Sequence, residues 1–291
     1  MQAKTNKEKR LIAWNGVQLY IPAEWEARVS GHRHLVFEKD FQPQLQIRWE
    51  TPAQHSPGYL QKRSIHFAEQ MGSILSDDEV PLKFRQLKNI FDRVICYRNE
   101  NGMFEGGILV CTDHHTLVLF QIFSPKPDIL TEVHDCLSKI SCRDHTETQM
   151  LWRIQDFSLT LSDSFILKDY TFAAGLTRLS FFSSGLFLHT CKLGPADNRL
   201  QDQSLEKILI ALADSSDLEL ITGENGESCE GYRTPSIPRQ VLFRLRREKP
   251  FILAKIWHDA VNNRLLAIVL SSNRPISPAT ADEICRQYEI F

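Results

Sequence analysis

Apolar and polar residues alternate near the start of the chain and again just after its midpoint. Apolar side chains stand at every second position of residues 17–21, and the same spacing returns in residues 157–161. A period of two sends successive side chains to opposite faces of a strand. Each stretch therefore predicts a half-buried β-strand.

The segments that follow each of these strands predict the same order of elements. In the first half we predict strands at 35–38, 45–50, 82–87, 94–98, 104–112 and 116–123, a helix from Pro57 and a closing helix at about 127–140. In the second half we predict strands at 176–182, 186–191 and 218–222, a helix at 204–212 and a closing helix that includes 282–288. Tryptophans within or beside strand-like runs (Trp14, Trp152 and Trp257) are expected to be buried, because an indole removes a large apolar area from water.

Residues 104–142 and 251–291 share one pattern, which is strand, turn, strand, proline-containing break and helix. A repeat of this length indicates two domains of one architecture. The predicted modules are residues 11–142 and 150–291, and a charged, threonine-rich linker at 143–149 joins them. Runs of strands with two helices per repeat predict an α+β fold, in which an antiparallel sheet carries the helices on one face.

The segment WNGVQLYIPAEWE, residues 14–26, resembles the start of PsbP-like domains, a group that includes a photosystem II extrinsic subunit, a Ran-binding import factor and many bacterial proteins. The second half keeps the order of elements, but LSDSF stands at 161–165 where the first half has IPAEW. The resemblance implies an α/β/α sandwich in tandem duplication. It also implies a binding or assembly role without catalysis, and it carries over no functional residue.

Composition and charge narrow the classes of partner. The formal net charge of −2 gives no reason to expect nucleic acid or an anionic membrane, and no stretch approaches the roughly 20 apolar residues that span a bilayer. The seven cysteines are an odd number and contain no C-x-x-C pair, which favours buried thiols in a reducing cytoplasm.

The sequence Asp113-His114-His115 is the first candidate site, because neighbouring histidines and a carboxylate can bind a divalent metal. The repeat aligns this segment with Asn262-Asn263 at the tip of a hairpin. Asp, Asn and His all tolerate the backbone of a tight turn. The turn is the favoured interpretation, and a metal site at His114 and His115 is the alternative.

Two Tyr-Arg pairs are the second candidate, Tyr97-Arg98 after Cys96 and Tyr232-Arg233 shortly after Cys229. A cation beside a thiol can lower its pKa and produce a nucleophile. We favour buried cysteines instead, with the Tyr-Arg pairs as binding residues at strand ends.

Residues 239–249 form the third candidate, a cationic segment predicted to be a strand. Arg239, Arg244 and Arg246 would present guanidinium groups to an acidic partner or a phosphate. One alternative is that the charges protect an exposed edge strand from unwanted pairing. Another is that the acidic residues upstream, between 214 and 230, neutralise them.

The sequence thus predicts a non-catalytic module that binds another protein and needs no cofactor. The alternative is a metal-dependent enzyme or small-ligand-binding protein that uses a cleft between the repeats, with His114, His115 or His258 as candidates.

Overall fold

The computed structural model describes residues 8–51, 57–98, 104–124, 126–143, 146–223 and 225–291. The chain forms two compact units, Met1–Ser158 and Leu159–Phe291. In each unit, antiparallel sheet combines with helices, so the predicted α+β class is confirmed. Within the described ranges no helix is both long and apolar enough to cross a membrane.

The first unit is built on a seven-stranded antiparallel sheet. Its elements are β1 (Lys9–Trp14), β2 (Val17–Pro22), β3 (Glu26–Gly31), β4 (His34–Lys39), β5 (Gln42–Glu50), α1 (Pro57–Met71), β6 (Ser73–Ile74), α2 (Leu82–Arg85), a 3-10 turn (Gln86–Asn89), β7 (Arg93–Arg98), β8 (Phe104–Cys111), β9 (Thr116–Ile122), α3 (Pro127–Leu137), β10 (Ser141–Cys142) and β11 (Gln149–Ile154). The large sheet has the order β3-β4-β5-β9-β8-β7-β6, and a smaller one contains β10-β2-β1-β11.

The second unit also has a seven-stranded antiparallel sheet. After β12 (Phe157–Ser162), which contains the unit boundary, come β13 (Ile166–Ala173), β14 (Leu176–Ser183), β15 (Leu186–Leu193), α4 (Ala196–Asp202), α5 (Leu205–Ala213), β16 (Glu219–Thr222), β17 (Ser228–Arg233), α6 (Ile237–Leu245), β18 (Phe251–Asp259), β19 (Arg264–Ser272), α7 (Pro278–Arg286) and β20 (Tyr288–Ile290). The large sheet has the order β13-β14-β15-β19-β18-β17-β16, and β12 pairs with β20.

Helical residues cover both faces of each large sheet, so the prediction of helices on one face is wrong. In the first unit, Leu60 and Ala68 of α1 share a core with Ile108 of β8, while Phe84 of α2 stacks on Phe120 with ring centroids 5.9 Å apart. Phe120 pairs with Gly107, the neighbour of Ile108, so the two contacts lie on opposite faces. In the second unit, α5 packs with the face of β18 that carries Ala254 and Ile256, and α7 contacts Lys255 between them.

Two sequence predictions about these elements are corrected. Residues 82–87 form α2 and part of the 3-10 turn, because Phe84 and Leu87 lie three positions apart and both turn into the core, which a strand would not allow. Trp14 and Trp152 are 0% exposed, as predicted. Trp257 is only half-buried, because it lies near the end of β18 with its ring against the edge of Tyr288.

Candidate interaction surface

Residues 239–249 do not form the predicted cationic strand. Their first part belongs to α6, a helix that begins after Ser236 with Pro238 in its first turn. Proline is pre-organised for this position, and Ile237, Val241 and Leu245 repeat at the four-residue spacing of a helix face. The left-handed φ of 61° at Arg247 then ends the helix.

Helix α6 turns its apolar stripe toward solvent. Its inner side carries Phe243, which lies 4.3 Å under the Arg233 guanidinium. On the outer side Ile237 is 77% exposed, Val241 51% and Leu245 76%. At roughly 3.6 residues per turn these three share one face. The residues Ile237, Val241, Leu242, Leu245, Arg239, Arg244, Arg246 and Arg247 are called the α6 surface below.

Arginines lie on both borders of this stripe. Arg244 follows Ile237 by two helical turns, and Arg239 and Arg246 lie one turn to either side of Leu242. Arg244 donates to the carbonyl oxygen of Asn273 at 3.1 Å. Among the described residues none of these guanidinium groups has a carboxylate partner.

The acidic residues upstream that are described do not neutralise the α6 surface. Asp217 pairs with Arg233 at 3.1 Å, and Glu230 pairs with Lys255 at 2.6 Å. The predicted edge-strand role also fails, because the segment is not a strand. As far as the described residues show, the α6 surface therefore carries an apolar centre and a positive border that has no carboxylate partner.

The Arg233 side chain packs against the inner side of α6, where its guanidinium lies over the Phe243 ring. Its Nη1 donates to Ser215 Oγ at 3.0 Å and to Asp217 Oδ1 at 3.1 Å, while Nε donates to the Pro250 carbonyl at 3.1 Å and Nη2 to the Lys249 carbonyl at 2.5 Å. Burial would raise the pKa of Asp217, but the hydrogen bonds from Ser215 and Arg233 outweigh it and lower that pKa. All three guanidinium nitrogens are used, so this predicted binding residue has a structural role.

Tyr97 and Arg98 belong to the first unit, whereas the α6 surface belongs to the second. Tyr97 is 0% exposed and its hydroxyl donates to the Phe120 carbonyl at 3.2 Å. Burial raises the pKa of Tyr97. Arg98 forms an ion pair with Glu79 at 2.8 Å, with both side chains well exposed. The structure thus offers a ligand no access to Tyr97.

Tyr232 does not take the position of Tyr97 in its sheet. Tyr97 lies two residues after Ile95, whose side chain packs with α1. Tyr232 lies three residues after Cys229, whose side chain packs with α5. A shift of one residue moves a side chain to the other face of a strand, so Tyr232 points away from α5 toward Glu230, to which its hydroxyl donates.

A polar network that the sequence did not predict lies in the second unit. It consists of Lys255, Glu230, Asp282 and Tyr232. The Lys255 ammonium donates to Glu230 Oε1 and to Asp282 Oδ1, both at 2.6 Å. Burial would lower the pKa of Lys255, but the two carboxylates outweigh burial and raise it. Burial would raise the pKa of Glu230, but hydrogen bonds from Lys255 and Tyr232 outweigh burial and lower it. Burial and the bond to Glu230 raise the pKa of Tyr232 to about 12. At neutral pH the network therefore holds fixed charges and offers neither a free amine nor a carboxylic acid.

His114 and His115 lie in the turn between β8 and β9, where the sequence placed them. His115 has a left-handed φ of 46°, and Asn263, in the turn between β18 and β19, has 52°. His114 Nδ1 lies 2.8 Å from Cys111 Sγ. Over the described ranges, no group of three or more His, Cys, Asp or Glu side chains is placed to hold a metal ion.

The thiols beside the Tyr-Arg pairs are not activated. Burial raises the pKa of Cys96 to about 12 and also raises that of Cys229. All seven cysteines are free. A thiol that stays protonated is a poor nucleophile.

No protein-family model, no curated protein and no solved structure matches this chain.

Proposed function

We propose that this chain is a non-catalytic binding protein and that the α6 surface docks another protein. The observation that carries the proposal is the exposure of Ile237, Val241 and Leu245 on one face of a single helix. Burying a side chain of this size is worth about 1.5–3 kcal/mol. Contiguous exposed apolar side chains with a polar rim are typical of interaction sites.

The arginine border specifies the chemistry of the partner. Guanidinium groups bind carboxylates through paired hydrogen bonds, and arginine is enriched in protein interfaces. The partner is a protein segment that presents apolar side chains bordered by Asp or Glu. Arg244 would meet one acidic border, and Arg239 and Arg246 would meet the other.

The chemistry of the second unit supports a role without catalysis. The Lys255 network holds paired charges, and the Cys229 thiol stays protonated. Both features stabilise the fold, and neither supplies a nucleophile or a proton donor at neutral pH.

We also propose that residues 11–142 and 150–291 are two copies of one PsbP-like sandwich. The matching strand orders of the two large sheets support this, since each strand of the second occupies the place of the strand ten numbers earlier. Four-residue turns at 112–115 and 260–263 support it as well. In the motif that resembles PsbP-like domains, Pro22 ends β2 and Trp25 is 0% exposed.

The binding proposal is tested with the full chain and a synthetic helical peptide whose leucine face is bordered by glutamates. We expect saturable binding by calorimetry that weakens as salt is added, because exposed charges are screened. The matched peptide with lysine in place of glutamate should bind at least about tenfold more weakly. The double variant Ile237→Asp/Leu245→Asp should lose binding, and Arg246→Gln should weaken it.

A control is Ile166→Asp, which places one aspartate on another exposed isoleucine of the second unit, 59% exposed on β13. It should bind the peptide like the unchanged protein. Equal binding of the two peptides, or equal loss in the control, would refute the proposal. Preferential binding of the chain to anionic vesicles would replace the protein partner with a membrane surface.

A further inference from the structure

A cavity of about 370 Å³ opens at the β6–β7 edge of the first unit's large sheet. Its apolar wall consists of Ile65 from α1, Ile74, Leu75 and Val80 from the segment after α1, and Val94 and Ile95 from β7. The volume lies at the small end of the range for ligand pockets, roughly 300–1,000 Å³. The cavity belongs to a different unit from the α6 surface and does not depend on the function proposed above.

Four charged side chains also line this cavity, namely Asp77, Lys88, Asp92 and Arg93. Lys88 Nζ donates to Asp77 Oδ1 at 2.6 Å. Asp92 Oδ2 accepts from the backbone N–H of Thr112 at 2.6 Å, which ties it to the β8–β9 turn. In the part of the chain that the structure describes, the Arg93 guanidinium has neither a hydrogen bond nor an ion pair.

The two carboxylates and two cations that line the cavity sum to zero charge, and the Arg93 guanidinium is the lining cation that has no ion-pair partner among the described residues. Arg93 is half-buried at the first position of β7, and a partly desolvated cation is stabilised by an anion that contacts it. The nearby carboxylates of Asp77 and Asp92 disfavour a second negative charge on a ligand. A single negative charge next to an apolar wall fits this arrangement.

We propose that the cavity binds a small organic monocarboxylate with an apolar chain. Its carboxylate pairs with Arg93, and its chain lies against Ile65, Leu75 and Ile95. Cys96 also lines the cavity. Burial raises the pKa of its thiol to about 12, so this residue is neutral and adds no repulsion.

The test uses sodium octanoate, below its micelle concentration, with the full chain. Calorimetry should show saturable binding, and the thermal midpoint should rise with octanoate concentration because the ligand binds the folded state. Octanol, which has the chain without the charge, should bind at least about tenfold more weakly. Equal affinity for octanol and octanoate would overturn the proposal, as would the absence of saturable octanoate binding.

Variants separate the carboxylate contact from a general effect of charge. Arg93→Gln should weaken octanoate binding by about tenfold or more, and Arg93→Lys should retain part of it. Lys62→Gln, an exposed position on α1 outside the cavity lining, removes one positive charge from the same unit and should change nothing. Unchanged affinity in Arg93→Gln would refute the carboxylate contact.

A second variant keeps the proposal testable if Arg93→Gln fails to fold. Ile74→Trp enlarges a lining side chain that is 42% exposed on the two-residue edge strand β6. It should block octanoate entry while the thermal midpoint of the free protein stays near that of the unchanged chain. Full octanoate affinity in this variant would show that the ligand binds elsewhere.

Discussion

Trp14 and Trp152 meet edge to face, with ring centroids 5.3 Å apart and ring planes at 89°. Trp14 ends β1, and β11 contains Trp152 next to Arg153, which pairs with Ala13. Both rings are fully buried. The positive edge of one ring facing the negative face of the other is a favoured aromatic geometry, and it fixes the two strands in register.

Replacing Trp152 by Ala should lower the free energy of unfolding by about 3–5 kcal/mol, because a fully buried ring is lost. The matched variant Trp257→Ala should cost clearly less, since that ring is half-buried. Urea unfolding monitored by circular dichroism measures both values. Equal losses would contradict the difference in burial.

The same pair can be tested by a double-mutant cycle in which Trp14 and Trp152 are each replaced by Leu. We expect a coupling energy of about 0.5–1.5 kcal/mol, the range found for aromatic pairs beyond their buried area. A coupling near zero would mean that the edge-to-face contact adds nothing to burial.

Arg233 and Arg98 should respond differently to the same change. Arg233→Gln removes an inward guanidinium with four hydrogen bonds and should cost about 2–3 kcal/mol in urea unfolding. Arg98→Gln removes an exposed partner of Glu79 and should stay within about 0.5 kcal/mol. A large loss for Arg98 alone would reverse the roles assigned to the two residues.

His115 is expected to act through its backbone and not its ring. His115→Asn should leave the free energy of unfolding within about 0.5 kcal/mol, because Asn tolerates a positive φ. His115→Val should cost about 1–2 kcal/mol, because a β-branched residue is strained there. If the two variants lose the same stability, the imidazole itself must stabilise the turn.

His189 should make the protein less stable in mild acid. Burial, and then the positive charge of Arg178, lower the pKa of His189, which also contacts Ser180 Oγ at 2.8 Å. The unfolded chain, with a histidine pKa of about 6.5, then takes up the proton first as the pH falls. Stability is therefore complete above about pH 6.5 and declines as the pH falls toward the folded pKa.

The measurement is urea unfolding at about pH 7.5 and about pH 5.5 for the unchanged chain and for His189→Gln. The variant should lose less stability between the two values. His34, whose pKa burial also lowers, contributes in the same direction to both proteins, so the difference between them isolates His189. A steeper loss in the variant would contradict the assigned direction.

The sequence predicted the strands and turns whose conformation is determined by residues close together in the chain. Alternation at 17–21 and 157–161 predicted β2 and β12, and the turn preferences of His115 and Asn263 predicted two hairpins.

Helix α6 was mistaken for a strand because its apolar residues fit both a two-residue and a four-residue spacing. Val241, Phe243 and Leu245 alternate, while Ile237, Val241 and Leu245 recur every fourth residue. The helix-start pattern at Ser236 and Pro238 decides between them.

The polar network and the cavity depend on contacts that periodicity does not contain. Glu230 and Asp282 lie 25 and 27 residues from Lys255, so only the strand register and the docking of α7 bring them together. The one local indication was a lysine inside the apolar run of β18. Likewise, the lack of an ion-pair partner for the Arg93 guanidinium among the described residues depends on contacts distant in sequence, because Asp77 pairs with Lys88 and Asp92 accepts from the Thr112 backbone.

The network around Lys255 also constrains how this protein can change through evolution. Lys255 is held between two carboxylates, so removing the lysine leaves two negative charges facing each other, and removing Glu230 leaves an inward ammonium half-compensated. We expect a single replacement at either position to lower stability, and a joint exchange of Lys255 and Glu230 to apolar residues to cost less. Lineages that lose the lysine should therefore have lost its acidic neighbours as well, and positions 230, 255 and 282 should vary together.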